Sequence, residues 1–242
     1  MRNIVWFSCG AASAVALKIA CMDLKDVVAV YCDTGGEHED SLRFLLDVQQ
    51  WCGITITINR SARFVDHLDC CEKMNYWGNL HGAPCTVNLK KKVREDYSRP
   101  GDVLIFGYTF EEKRRAVEFE IRNRGLKTRW LLIENKIDKA SCLSIIKRAG
   151  LELPEMYKLG YDHNNCIGCV KGGMGYWNKI RIDFPEVFSR VAKLERKMGK
   201  SILLDKHQPL YLDQLDPERG NYKAEPDIRC DIFCHNIIDR LL

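Results

Sequence analysis

The 242-residue sequence predicts a doubly wound, mostly parallel α/β sheet with an irregular, cysteine-rich C-terminal cap. Three observations carry this. Short apolar runs alternate with helical spacings through residues 1–135, as in a sheet with helices on both faces. Most of the runs are continuously apolar, as strands buried on both faces are. From about residue 136 the regularity fails and the stretch 136–242 turns loop-rich, which predicts a cap packed on the sheet edge.

The elements follow in order. Ile4-Val5-Trp6-Phe7 is a buried strand, and residues 12–22 read as a helix. Residues 27–32 form a second strand that ends at Asp33-Thr34-Gly35-Gly36, where the chain must turn. Residues 39–51 have helical spacing, and 54–58 alternate as a strand. Residues 60–100 are less regular. Residues 102–107 are another buried strand, 111–124 read as a charged helix, and Trp130-Leu131-Leu132-Ile133 reads as a further strand. Beyond these, 138–149 is a helix started at Asp138 and stopped by Gly150. Residues 162–177 are polar, glycine-rich and cysteine-bearing, and 183–198 are helical.

Between the first strand and first helix lies Ser8-Cys9-Gly10-Ala11-Ala12-Ser13. A strand that turns through small residues into a helix start aims backbone N–H groups outward at the positive end of a helix dipole. Phosphate is the natural ligand of such a turn. An ordinary turn capped by Ser13 would share the same residues. The turn lacks the Gly-Lys-Ser/Thr ending of a Walker loop. In parallel sheets ligands bind at the carboxyl ends of strands. Three such ends, 8–13, 33–35 and 107–109, are expected along one edge.

The net charge of +4 excludes a general polycation, although basic residues cluster at Lys90-Lys91-Lys92 and around 113–124. No apolar run reaches the length of a membrane span, and the N-terminus runs directly into the first strand without an export signal. A cytoplasmic protein, expected to be a homo-oligomer, follows. Its twelve cysteines then read as reduced thiols, metal ligands or redox groups rather than a disulfide framework. Cys166 and Cys169 have chelating spacing. Cys85, Cys230 and Cys234 are candidates to complete a site, and the adjacent Cys70-Cys71 is another source. Four thiolates suit zinc and a [4Fe–4S] cluster equally.

Ser8, Gly10 and Ser13 resemble the pyrophosphate loop (Ser-Gly-Gly-x-Asp-Ser) of the adenine nucleotide alpha-hydrolase superfamily. The nearest branch is that of the phosphoadenylylsulfate (PAPS) reductase-like proteins. Cys9 stands for a glycine, and Ala12 for the aspartate that would support magnesium-assisted ATP cleavage. Further segments resemble the same family: Asp33-Thr34-Gly35, the stretch from Gly107 through Glu112 to Arg115, Pro154-Glu155-Met156-Tyr157-Lys158-Leu159-Gly160-Tyr161, and Cys166-Ile167-Gly168-Cys169. Together they span roughly 4–180.

The resemblance implies a Rossmann-like fold that binds an adenine nucleotide, ATP or PAPS. It places the phosphates on Ser8, Cys9, Gly10, Ala11 and Ser13, with the nucleotide near Asp33, Thr34, Gly35, Gly107 and Glu112. Arg115 would take the anionic end, and Lys90 is a further anion contact. It favours iron–sulfur over zinc on Cys85, Cys166, Cys169 and Cys234, and leaves magnesium open. The reductases use a cysteine in a C-terminal Glu-Cys-Gly-x-His motif. Here Cys230 and Cys234, with His235, are its candidates, without the motif's Glu and Gly.

Two enzyme readings follow: sulfonucleotide reduction with a thiol reductant, or ATP alpha-phosphate cleavage that activates an acceptor for sulfur transfer to nucleic acid. A third reading, from another class, is a non-catalytic nucleotide-binding module, which would bind nucleotide without turnover.

Overall fold

The structure is a computed structural model, described here for residues 1–78, 82–226 and 228. In chain order the elements are β1 (Asn3–Phe7), α1 (Ala11–Asp23), β2 (Val27–Asp33), α2 (Asp40–Cys52), β3 (Ile56–Arg60), α3 (His67–Lys73) and a π-helical segment (Thr86–Lys91). There follow α4 (Lys92–Tyr97), β4 (Val103–Phe106), α5 (Lys113–Arg122), β5 (Lys127–Arg129), α6 (Leu131–Glu134), α7 (Lys139–Arg148) and α8 (Glu155–Lys158). The last are α9 (Met174–Asp183), α10 (Pro185–Met198), β6 (Leu203–Asp205) and β7 (Gln208–Leu210).

Two compact units interleave along the chain. One comprises 1–33, 38–59 and 94–164; the other comprises 34–37, 60–93 and 165–242. The first holds nearly all of a five-stranded sheet, ordered β3-β2-β1-β4-β5. β1 runs parallel to both β2 and β4, and β4 parallel to β5. The sheet is thus mostly parallel and flanked by helices, as expected. Its strand order reverses between β1 and β4, which makes that junction the topological switch point.

Side-chain alternation sorts the two faces. Val5, Phe7, Ala29, Tyr31 and Ile105 join a core with Phe44 and Val48 of α2, Cys142 and Ile146 of α7, and the apolar side of α1. Trp6 and Phe106 point to the other face. There Phe106, Phe119 of α5 and Trp130 form an aromatic cluster with centroids 5.1–5.8 Å apart.

The run Trp130–Ile133, expected as a strand, is instead helical at α6, and the edge strand is Lys127–Arg129 just before it. A four-residue apolar run fits either element. Here Leu131 and Leu132 are buried in the core, where a single helical turn seats them side by side.

The second unit holds α3, the π-helical segment, α9, α10 and the antiparallel β6–β7 hairpin. Trp177 at its centre is fully buried. The sequence reading missed α9, whose first turn lies inside the stretch taken as irregular. Among the described residues no helix is long and apolar enough to cross a membrane.

Candidate functional site

The expected anion turn lies at the carboxyl end of β1, where α1 begins with Gly10 as its N-cap. Ser13 is not that cap. Its hydroxyl donates to the Gly10 carbonyl (2.9 Å) and accepts from the Ser8 N–H and Ser8 hydroxyl (both 3.1 Å). Ser13 thus fastens the loop to itself and is buried, while Ser8 is exposed.

Cys9, where the resembling loops have glycine, adopts φ +56°. A non-glycine residue there is strained by about 1–2 kcal/mol, and its surroundings hold it. The Asn164 amide donates to the Cys9 carbonyl and to the Ser41 hydroxyl (both 2.9 Å), and Cys9 itself is fully buried. The Tyr157 hydroxyl accepts the Ala11 N–H at 3.3 Å. A hydroxyl oxygen therefore stands against a first-turn donor of α1, where a phosphate oxygen would be accommodated. Burial raises the Tyr157 hydroxyl to about 12, so it stays protonated at neutral pH.

Gly107, at the end of β4, closes the other side. A Cβ there would lie 2.6 Å from the Ser13 nitrogen and 2.7 Å from its Cα, so only glycine permits this approach. Two of the three expected strand ends, 8–13 and 107–109, thus meet at the switch point.

Glu112 is the capping residue of the turn after Gly107. Its Oε2 accepts the Thr109 N–H (3.0 Å) and hydroxyl (3.2 Å), and its Oε1 pairs with Arg115. The Arg115 guanidinium lies 4.3 Å over the Tyr108 ring, which stacks at 5.0 Å on Trp130. The i, i+3 pair expected from sequence therefore forms, with the arginine held flat on an aromatic face.

The remaining described candidates lie in the second unit, except Asp33, which ends β2. The Thr34 hydroxyl donates to Glu37 Oε2 (2.6 Å) and sits 3.0 Å from Cys166 Sγ. With its own proton on Glu37, Thr34 Oγ1 accepts the thiol proton of Cys166. Gly35 has φ +68°, and a Cβ there would approach the Val65 carbonyl to 2.3 Å. The Tyr176 hydroxyl accepts the Cys169 N–H (2.9 Å) and donates to the Cys166 carbonyl (3.3 Å), so one tyrosine ties both ends of the Cys-x-x-Cys turn. Gly172 exists for that tyrosine, since a Cβ would overlap its ring. His67, 4 % exposed, has Nε2 3.3 Å from the Gly168 carbonyl, and burial lowers its pKa.

Cys85 packs elsewhere in this unit, in a small cluster with Phe64, Cys70 and Leu89. Burial pushes the Cys70 thiol up to about 12. Lys90 lies in the π-helical segment, a form often found at functional sites. Among the described residues no group of three or more His, Cys, Asp or Glu is arranged to hold a metal ion. Cys166 and Cys169 share one turn, while Cys85 lies with Cys70. Cys230 and Cys234 lie outside the described residues.

No protein-family model matches the chain. It is similar to two uncharacterized proteins of Methanocaldococcus jannaschii. One, MJ0066, is 30 % identical over 211 residues, covering 81 % of this chain and 42 % of the relative. The other, MJ0973, is 21 % identical over 204 residues, covering 80 % and 47 %. The chain thus spans less than half the length of these relatives. Among solved structures it is similar to a phosphoadenylyl-sulfate (PAPS) reductase from Candida auris, a phosphate complex. The identity is 13 %, the TM-score 0.48, and the coverage 69 % of this chain and 82 % of that one.

Proposed function

We propose that this chain is an adenine-nucleotide-binding enzyme resembling the PAPS reductases and acting in sulfonucleotide reduction or sulfur metabolism. One observation carries the reading: the small-residue loop at the end of β1, closed by Gly107 at the switch point, with a hydroxyl against the Ala11 N–H. Phosphates lie on Ser8–Ser13, and Arg115 faces the anionic end. An alternative is ATP alpha-phosphate cleavage that activates an acceptor for sulfur transfer. Ala12 in place of the loop aspartate counts against it, because magnesium then loses a carboxylate. In either case the partners are a small nucleotide with a thiol reductant or a nucleic-acid acceptor, met in the cytoplasm. A [4Fe–4S] cluster or zinc would draw on Cys166 and Cys169, and no step is assigned to it.

Calorimetry with ATP and with PAPS, alongside assays for sulfite, AMP and pyrophosphate, tests this reading. Binding of PAPS with sulfite release is expected, and Ser13→Trp should abolish binding. Binding without any turnover would leave a nucleotide-binding module. Binding that survives Ser13→Trp would refute the loop assignment.

A further inference from the structure

Arg94 of α4 is 2 % exposed, and its Nη1 is buried with no hydrogen-bond partner among the described residues. Its nearest acid, Glu95, lies 3.8 Å away and is half-exposed, too far for a hydrogen bond and weakened by solvent. The Phe119 ring lies 5.7 Å from its guanidinium carbon. The desolvation cost of a buried ion exceeds a cation–π contact several-fold. The charge is therefore uncompensated, and burial lowers the Arg94 pKa accordingly.

Its position gives this meaning. Arg94 is in electrostatic reach of Tyr108, just past β4, and Cys32, near the end of β2. Those strands flank β1 in the sheet, so Arg94 sits at the carboxyl edge beside the switch point. It belongs to the face opposite α1, the face of Trp6, Phe106 and Phe119. Trp6, on β1 and two residues before the loop, supplies a second observation. Its indole N–H is buried with no hydrogen-bond partner among the described residues, and its ring meets Tyr97 of the same helix at 6.0 Å. Two buried donors therefore share one face at the end of the sheet where parallel α/β proteins bind ligands, and neither has an acceptor among the described residues.

We infer that this buried face between α4 and the β1–β4 edge is an oxyanion subsite, with Arg94 and the Trp6 indole N–H as its donors. A phosphate, sulfate or carboxylate group of a ligand supplies the missing acceptor. The subsite stands on its own geometry. It rests on the nucleotide reading only in making that oxyanion a second anionic group of the molecule held by the loop. Since Arg94 is almost fully covered, entry needs α4 to move away from the sheet edge, and slow exchange between free and bound forms follows.

The test is a titration of the full chain with sodium sulfate, read on the Trp6 indole ¹⁵N–¹H resonance assigned with Trp6→Phe. A new Trp6 resonance is expected. Arg94→Met should weaken sulfate binding by about tenfold or more, the range for a lost hydrogen bond to a charged group. It should also raise the unfolding midpoint without sulfate, because an apolar side chain replaces an uncompensated ion. Arg94→Lys keeps the charge without the planar fork and should bind at intermediate strength. An unmoved Trp6 resonance overturns the inference. So does wild-type sulfate affinity in either Arg94 variant. If wild-type protein binds sulfate through Arg94 but no ATP or PAPS, the nucleotide reading fails and the subsite stands.

Discussion

Cys9, Asn164 and Gly107 each act on the same few backbone atoms of the loop. Asn164→Ala would leave the Cys9 carbonyl and the Ser41 hydroxyl without their donor inside the protein. A loss of about 1–3 kcal/mol in denaturant unfolding is expected. Gly107→Ala forces a methyl against the Ser13 backbone and should cost a further order of about 1–3 kcal/mol. It should also weaken nucleotide binding, which calorimetry on the folded variant would read. The small residues of the loop were legible in the sequence because their chemistry is local. Asn164 and Arg94 were not. Their importance comes from what lies beside them in the fold, and a lone asparagine or an arginine in a basic run carries no sign of burial.

Among the elements, the end of α10 contains a buried carboxyl. Glu195 is fully buried and accepts the Ile202 and Leu212 N–H groups, both at 2.6 Å, pinning the segments before and after the β6–β7 hairpin. Burial raises its pKa to about 7. The folded state therefore holds this proton over a range where the unfolded chain has released it. The associated stability is fully present below the ordinary glutamate pKa and is lost as pH rises through about 7. Glu195→Gln should flatten that part of a pH series of unfolding midpoints. An unchanged slope would remove Glu195 as its source. Legibility at this scale followed burial. β1, β2 and β4, covered on both faces, announce themselves as apolar runs. The run at Trp130–Ile133 was ambiguous because four residues carry too little period. α9 was hidden because Gly172 and Gly173 precede it and its Gly175 lies within hydrogen-bonding reach of Glu225, features that resemble loop chemistry.

For the whole molecule, cysteine chemistry is the broadest test. Of the described free cysteines, Cys9, Cys70, Cys71, Cys142, Cys166 and Cys169 are buried, whereas Cys21, Cys32, Cys52 and Cys85 are half-buried. A native thiol titration should modify the second group first, and peptide mapping would identify it. Tyr176→Phe should bring Cys166 and Cys169 forward in that order, because it removes the hydroxyl that ties their turn. Iron and zinc analysis of anaerobically purified protein decides the metal question. About four irons per chain, as a cubane cluster requires, would place Cys166 and Cys169 at its centre. One zinc would make them structural. The sequence displayed the alternation of the sheet, but it could not display two units whose segments alternate along the chain. Which segments share a unit depends on contacts between residues far apart in the chain.

The approach of Gly107 to Ser13 has a consequence in time. Ser8 to Ser13 leave the ribosome together with β1 and α1, whereas the glycine that closes the loop is about ninety residues further along. At about 5–20 residues per second, the newborn chain carries the loop for roughly 5–20 s before its second wall exists. During that interval the emerging segment has the small-residue turn but not the closed loop, which forms only once translation has passed β4.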